Sequence, residues 1–352
     1  MDEIDGNLTE GKEKDIFSKQ ADRYFAIMDG VNLLTDRFTC AFYPHQFTTD
    51  LAVKMVTAEH NPAYYPDPLV EDTTYYVRSD MTDYEFSLAA TPGGSAIDIT
   101  SYWAGQCWFY RVVEPPVEYT RNVDCWAYPF DLTCISPWNS PSQHWRAGTL
   151  VSPKHIIFAA HYPLSVGSVV RFVTQGNIVV ERTLTAVLLH PDYVDSSNYP
   201  DLAVGVLDSI VPGTITFAKV LPADWKDYFP PQRDYNTVPG VPVMVLDQEE
   251  KALIYNLSNV SESGPKPAQQ KVYTCEPQDV LRSPFYEVGV SGDSGNPMFM
   301  VIDGELVILT VITGGESGTD IQAFTDDINA MMTTLGDGYQ LTPIDLSKYA
   351  KA

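Results

Sequence analysis

Residues 292–295 read Gly-Asp-Ser-Gly, and this short run has the residue types that an activated serine requires around it. Glycines allow tight backbone turns that leave amide N–H groups pointing at one spot, where a developing oxyanion could be stabilised. The hydroxyl of Ser294 would stand at the edge of that spot as a nucleophile. Taken alone, the tetrapeptide is also compatible with an ordinary turn, because short motifs occur by chance.

Two residues upstream could complete such a nucleophile. His161 follows residues 155–160, where a β-branched and aromatic run ends in two alanines, so the imidazole lies just past a predicted buried strand. Asp201 precedes the apolar run 202–207, where burial against the imidazole would hold the ring in one tautomer. With Ser294 they occur in the order His, Asp, Ser, which is one of the orders that convergent serine hydrolases use.

The remaining candidate acids and bases fit this pattern less well. Asp192 and Asp195 are rival carboxylates, but neither directly opens an apolar strand, so Asp201 ranks ahead of them. The other histidines lie inside an apolar run, before a proline, or in stretches with no matching pattern. We expect them to be structural or solvated: His45, His60, His144, His155 and His190.

These stretches resemble the trypsin/chymotrypsin-like serine protease family. The matching segments are residues 148–161, 190–204 and 292–297, and the likeness covers roughly the last 210–230 residues of the chain. It implies an all-β fold, namely a trypsin-like double β-barrel with a C-terminal helix. A β-rich N-terminal region, which the resemblance does not cover, would precede this barrel pair.

The resemblance also implies a role for each residue of the motif. His161 would be the general base, Asp201 its orienting partner and Ser294 the nucleophile, with the amides of Gly292 and Ser294 forming the oxyanion hole. The implied activity is that of a serine endopeptidase, which hydrolyses protein or peptide substrates through an acyl-enzyme intermediate and needs no cofactor.

Two features of the family set expectations about specificity and activation. The resemblance places Val288 at the base of the specificity pocket and Gly314 on its wall, which predicts a preference for small or apolar residues before the cut. Many relatives are cut to expose a new N-terminus that pairs with the aspartate before the serine, here Asp293. No Ile-Val-Gly-Gly-type site precedes Trp145, so Asp293 must find another partner, or the oxyanion hole is unformed until something binds.

A second function of a different class stays open at this point. The chain could be a non-proteolytic structural or interaction protein, such as a virion component, that uses a trypsin-like fold as a scaffold, because a fold does not by itself imply a function. The intact set of His161, Asp201 and Ser294 favours the protease, since a scaffold has no need of all three.

Composition narrows the possible partners. The chain has 352 residues and a formal charge of −24, which argues against binding to nucleic-acid phosphates or anionic lipid. Its hydrophobic content of 44% is ample for a packed core. No apolar run approaches the roughly 18–20 residues of a membrane span, and the acidic start lacks the features of a signal peptide. We therefore expect a cytoplasmic or virion-associated protein rather than a Sec-secreted one.

Cysteine usage is consistent with this expectation. The five cysteines form no Cys-x-x-Cys pair, so a zinc or other metal site is not expected: Cys40, Cys107, Cys125, Cys134 and Cys275. Their odd number fits free thiols in a reducing compartment, although a Cys125–Cys134 or Cys40–Cys107 bridge stays open. The family's extracellular members carry cysteines directly after the histidine and shortly before the serine, where this chain has Tyr162 and Val290. The chain thus resembles a disulfide-poor microbial or viral branch.

Changes in composition along the chain suggest three regions. Residues 1–20 are polar with little to bury and read as a flexible or partner-ordered tail. Residues 21–116 contain short β-branched and aromatic segments broken by Pro and Gly, which predicts a β-rich region of unknown role and a candidate for assembly contacts. The paired prolines within 114–117 suggest a linker to the protease-like region 117–352.

Several local signals within the last region predict particular elements. Residues 175–177 and 303–304 lie between apolar runs and predict two β-hairpins. Residues 326–335, followed by Gly336, predict one helix with a glycine stop. The Trp-, Pro- and Cys-rich stretch from 117 to about 142 either starts the first barrel or packs across its back.

Overall fold

A computed structural model describes most of the chain. The described residues are 3–18, 25–32, 37–40, 51–57, 66–70, 73–79, 81–82, 85–101, 107–111, 119–136, 146–194, 200–228, 240–261 and 270–351. The chain divides into two compact units, one comprising Lys19–Glu118 and the other comprising Met1–Ser18 together with Tyr119–Ala352. The predicted linker at 114–117 lies outside the described residues.

The unit Lys19–Glu118 contains one seven-stranded sheet of order β5-β2-β1-β7-β3-β4-β6. Its strands are β1 (Phe25–Asn32), β2 (Arg37–Cys40), β3 (Ala52–Thr57), β4 (Thr74–Val77), β5 (Glu85–Phe86), β6 (Leu88–Ala89) and β7 (Cys107–Arg111). Phe38, Phe86 and Phe109 pack together at the centre, with ring centroids 4.9–5.5 Å apart. The β-branched and aromatic runs of this region therefore form strands around an aromatic core.

The first sheet of the other unit has five strands in the order β10-β11-β12-β9-β8 and curves into a half-barrel. Its strands are β8 (Thr149–Leu150), β9 (His155–Phe158), β10 (Val169–Val173), β11 (Val179–Leu189) and β12 (Ala203–Leu207). All residues of β9 and β12 are buried, and the two strands pair antiparallel. This pairing brings the end of β9 beside the start of β12.

The second sheet closes into a six-stranded barrel. Its strands are β13 (Lys219–Val220), β14 (Pro242–Leu246), β15 (Ala252–Val260), β16 (Lys271–Cys275), β17 (Pro297–Ile302), β18 (Glu305–Gly314) and β19 (Ser317–Thr319). The order β18-β17-β14-β15-β16-β19 returns to β18 through a β18–β19 pairing, while β13 adds a parallel strand outside the ring. Buried Val, Leu, Ile and Met side chains fill this barrel.

The architecture is mostly β with one C-terminal helix, which confirms the all-β expectation. Both predicted hairpins are present: β10 pairs with β11 across the turn at Asn177, and β17 pairs with β18 across Asp303 and Gly304. Asp303 and Gly304 both have positive φ, as a tight hairpin turn requires. The helix α1 (Thr325–Leu335) ends at Gly336, whose φ of 104° is readily adopted only by glycine.

The N-terminal segment differs from the expected flexible tail. Residues 3–18 pack onto the unit Tyr119–Ala352 and bury their spaced apolar side chains: Ile4, Leu8, Ile16 and Phe17. Asp5 forms a two-pronged ion pair with the buried Arg282, at 2.6 and 2.7 Å. The polar composition does not indicate this packing, because a few apolar side chains and one buried ion pair are enough to anchor a segment whose backbone also forms hydrogen bonds with the rest of the unit.

The Trp- and Cys-rich stretch links the two sheets. Trp126 is fully buried and its indole N–H donates to the carbonyl of Ala252 in β15, at 2.7 Å. Ile135 forms a bridge with Thr149 of β8, at the edge of the half-barrel. Residues 119–136 therefore do not open the first barrel as a regular strand but tie it to the second; residues 137–145 lie outside the described residues.

Candidate active site

Strand ends position the imidazole and the carboxylate. Phe158, the last residue of β9, pairs with Ala203, the first residue of β12. Because the strands are antiparallel neighbours, the chain that leaves β9 and the chain that enters β12 emerge at the same end of the half-barrel. His161 and Asp201 lie just beyond these two points, so the pairing of β9 with β12 fixes their proximity.

Asp201 holds His161 by two hydrogen bonds. One carboxylate oxygen lies 2.5 Å from the imidazole Nδ1, and the other accepts the backbone N–H of His161 at 2.9 Å. The Asp201 side chain is fully buried, whereas that of His161 is about a fifth exposed. An ionised Asp201 accepts from Nδ1–H and thereby leaves Nε2 free to accept a proton.

Ser294 completes the arrangement from the second barrel. Its Oγ lies 2.8 Å from Nε2 of His161, although the two residues are 133 positions apart in the sequence. Ser294 lies three residues before β17, so the start of this strand fixes the position of the turn that contains Ser294. The three residues predicted from the sequence are thus in hydrogen-bond contact in the order Asp201, His161, Ser294.

The turn around Ser294 depends on glycine at two positions. Gly292 has φ of 106° and Gly295 has φ of 88°. A Cβ added at Gly292 would lie 2.2 Å from Oε1 of Gln248, so a side chain there would be strained by its backbone conformation and would also displace the Gln248 amide. Among the described residues, no protein acceptor takes the N–H of Gly292 or Ser294. Both predicted oxyanion-hole donors are therefore available to a ligand.

Asp293 finds its partners within the barrel. Its two carboxylate oxygens accept the backbone N–H of Val290 at 2.7 Å and of Gln248 at 3.1 Å. Burial raises the pKa of Asp293 to about 6, against the two hydrogen bonds that favour its charged form. The sequence left two alternatives open: either Asp293 has a partner other than a new N-terminus, or the oxyanion hole is unformed until something binds. The structure shows the first, with the backbone N–H groups of Val290 and Gln248 as partners.

Sequence reasoning missed two supporting residues. The hydroxyl of Thr319 in β19 accepts the backbone N–H of Asp201 at 3.1 Å, and both residues are fully buried. The side-chain amide of Gln248 donates to the carbonyl of Ser291 at 2.9 Å. No local pattern marks either residue, because each acts on a segment more than 40 positions away.

Tyr162, the residue directly after His161, packs against Arg146. The guanidinium of Arg146 lies over its ring, 4.6 Å from the centroid. Burial raises the pKa of Tyr162, so the phenol stays neutral at physiological pH. A cation–π contact between Arg146 and Tyr162 therefore ties the residue after His161 to the start of the half-barrel.

The predicted specificity residues lie beside the serine turn. Val288 is 61% exposed, and Gly314 is exposed at the end of β18. The facing segments come close together, since a Cβ added at Gly289 would lie 3.4 Å from the carbonyl oxygen of Gly315. The phenol of Tyr255 donates to the carbonyl of Glu287 at 2.6 Å and so fixes the segment that precedes Val288.

The rival acids and bases lie elsewhere. Asp192 is exposed, and its backbone N–H donates to His190 rather than to His161. His155 is buried with Nδ1 2.9 Å from the Ser152 hydroxyl, and burial lowers its pKa. His190 is buried near Asp327 of α1. Asp195, His45, His60 and His144 lie outside the described residues.

Three cysteines have described side chains, and all three are free thiols: Cys125, Cys134 and Cys275. The Cys125–Cys134 bridge that the sequence left open is therefore not formed. Burial raises the pKa of the Cys134 thiol, which keeps it protonated and unreactive. The side chains of Cys40 and Cys107 lie outside the described residues.

One cluster of carboxylates lies close enough together to suggest a metal site. Ligand atoms of Asp247, Glu249 and Glu287 lie within 4.8 Å of one another. The ammonium of Lys251 lies 2.5 Å from Glu249 and 2.9 Å from Glu287, and Lys14 also forms an ion pair with Glu287. The two lysines pair with two of the three carboxylates, and the cluster is therefore better described as a salt-bridge network than as a cation site.

No protein-family model matches the chain, and no curated protein sequence matches it either. Among the described residues, no helix is both long enough and apolar enough to span a membrane. Functional assignment therefore rests on the geometry of His161, Asp201 and Ser294 and on the turn that carries the serine.

Proposed function

We propose that the protein is a serine endopeptidase with a trypsin-like double β-barrel fold. The observation that carries this proposal is the unbroken series of hydrogen bonds from Asp201 through His161 to Ser294, at 2.5 and 2.8 Å. These distances lie within the range that a general base and its nucleophile require. The closed barrel and half-barrel, with the three residues between them, support the trypsin-like fold.

The arrangement supports acyl transfer in two steps. His161 Nε2 takes the hydroxyl proton while Ser294 Oγ attacks a peptide carbonyl, and the N–H groups of Gly292 and Ser294 stabilise the resulting oxyanion. The imidazolium then gives its proton to the leaving amine, and an acyl-enzyme remains. Water activated by the same imidazole hydrolyses this ester and restores the free serine. Buried Asp201 stabilises the imidazolium throughout and stays ionised.

Reaction with a fluorophosphonate probe tests the proposal directly. Wild-type protein should be labelled and Ser294→Ala should not, because only an activated hydroxyl attacks the phosphorus centre. Ser209→Ala is a suitable control, since Ser209 is exposed and its hydroxyl contacts only the neighbouring Asp208. A folded wild-type sample that stays unlabelled would contradict the proposal and favour the non-proteolytic scaffold.

The preference before the cut is proposed to be for small or apolar residues. Val288 is exposed and offers no charge to a basic side chain. The nearby carboxylate of Glu316 accepts a hydrogen bond from the Tyr286 hydroxyl at 2.5 Å and is thus already engaged. Cleavage of a peptide library measures this preference, and strict cleavage after Lys or Arg would contradict it.

A further inference from the structure

Residues 13–17 form isolated β-bridges with two parts of the same unit. On one side, the N–H of Glu13 donates to the carbonyl of Asp124 at 2.9 Å. On the other side, the N–H of Ile16 donates to Glu250 at 3.0 Å, and Ala252 donates back to Lys14 at 2.8 Å. The segment is thereby fixed in register against the turn 247–251, which connects β14 to β15.

That turn is the one that holds the serine loop. Gln248 donates its backbone N–H to Asp293 and its side-chain amide to the carbonyl of Ser291. The same side chain lies against Gly292, where any added Cβ would displace it. A displacement of the turn 247–251 would therefore move the groups that orient the two oxyanion-hole N–H donors.

A second connection runs directly from the N-terminal segment to the serine loop. The ammonium of Lys14 forms an ion pair with Glu287, and the two side chains are only 27% and 22% exposed. Although burial opposes ionisation of Glu287, hydrogen bonds and charge from Lys14 and Lys251 hold its pKa below the ordinary value. Glu287 begins the run 287–294 that contains Val288, Asp293 and Ser294.

We infer that Lys14 is a positioning residue for the oxyanion hole, and that docking of residues 3–18 is what organises the serine loop for catalysis. Lys14 touches neither the substrate nor the reacting atoms; it acts by anchoring Glu287, while the backbone of Lys14 and Ile16 anchors the turn that carries Gln248. Residues 3–18 thus do what a newly exposed N-terminus does in many trypsin-like proteases. This inference rests on the proposed endopeptidase function.

The test compares full-length variants at position 14 with a matched lysine on the same segment. Lys14→Met keeps the length of the side chain but removes the charge, and Lys14→Arg restores a cation. Lys12→Met is the control, because Lys12 is partly exposed like Lys14 but its ammonium donates to the carbonyl of Val123 and not to Glu287. The measurements are kcat and KM on a peptide substrate, the rate of fluorophosphonate labelling, and hydrogen exchange of the amides in 288–294.

We expect Lys14→Met to lower kcat and the labelling rate by about tenfold, which is the scale of a perturbation transmitted through one contact. KM should change little, exchange of the loop amides should accelerate, and Lys14→Arg should recover most of the rate. Glu287→Gln should act in the same direction and serves if Lys14→Met does not fold. Lys12→Met should match the wild type in all four measurements.

The outcomes separate the two claims. If wild-type protein is labelled but Lys14→Met and Glu287→Gln react at the wild-type rate with unchanged exchange, the positioning role is wrong and the protease assignment stands. A lower melting temperature with unchanged kcat would likewise show that Lys14 stabilises the fold but does not position the oxyanion hole. If folded wild-type protein is never labelled, the proposed function fails and the inference fails with it.

Discussion

The half-barrel and the closed barrel contribute to the site in different ways. In the half-barrel, the register of β9 against β12 brings His161 and Asp201 to the same end of two adjacent buried strands. In the closed barrel, Ser294 lies on a turn whose conformation depends on contacts from distant segments, among them Gln248 and, as inferred above, Lys14. His161 and Asp201 are positioned by strand pairing, whereas Ser294 is positioned by side chains.

This difference predicts where each half of the site is vulnerable. Strand pairing tolerates substitutions outside the site. The hydrogen bonds between His161 and Asp201 should therefore be lost only when one of these two residues is itself substituted. The serine turn should fail when any of its supports is removed, because its glycines impose no single conformation by themselves. Substitutions in the two regions test the contrast.

The largest effect is expected within the half-barrel. Asp201→Asn should lower kcat by about 10⁴-fold, because an amide NH₂ facing Nδ1 favours the tautomer in which Nε2 cannot accept the serine proton. The measurement is kcat on a peptide substrate. Asp192→Asn is the matched control, since Asp192 is exposed and makes no contact with His161; an equal loss in that control would refute the assigned role of Asp201.

The next largest effect is expected in the serine turn. Asp293→Asn should lower kcat by about 10²-fold, the scale of losing one oxyanion-hole donor. An amide cannot accept from both Val290 and Gln248, because its NH₂ would face one of the two N–H donors.

A second buried carboxyl provides the control for that prediction. Asp320 also accepts two backbone N–H groups, from Gln322 and Ala323, but it does not contact the serine turn. Asp320→Asn should lower the free energy of unfolding while leaving kcat near the wild-type value. If both variants lose activity equally, the turn is not specifically dependent on Asp293.

A smaller effect is expected where the closed barrel supports the half-barrel. Thr319→Val removes the acceptor for the buried N–H of Asp201, which should lower the free energy of unfolding by about 1–3 kcal/mol. We expect kcat to fall only a fewfold, since strand pairing still places Asp201. Thr310→Val is the control, because that buried hydroxyl bonds the carbonyl of Val311 and not Asp201; denaturant unfolding and kcat together distinguish the two threonines.

The smallest effect is a change in the pH dependence of stability. Burial raises the pKa of Asp293 to about 6 from its ordinary value of 3.8. The folded state therefore binds this proton more tightly than the unfolded state, and the stabilisation is complete below pH 4 and is lost as the pH rises to about 6. Asp293→Asn should flatten that part of the stability curve. An unchanged slope in urea unfolding between those pH values would contradict the assignment.

Local structure was predictable where a few adjacent residues suffice. The turn at Asp303 and Gly304 and the helix stop at Gly336 follow from backbone conformations that those residues adopt readily. The docking of residues 3–18 was not predictable, because the ion pair between Asp5 and Arg282 joins residues 277 positions apart. From its polar composition alone, the segment was expected to be a flexible or partner-ordered tail.

The same distinction between local sequence and tertiary packing applies to the candidate site. The sequence by itself determined the residue types, their order and their places at the ends of apolar runs, which was enough to select His161, Asp201 and Ser294. Only the tertiary structure decided that Ser294 Oγ lies 2.8 Å from the imidazole, that Thr319 supports Asp201, and that Gln248 supports the serine turn. Hydrogen bonds act over a few ångströms and depend on direction, so they are set by how distant segments pack, which no local pattern specifies.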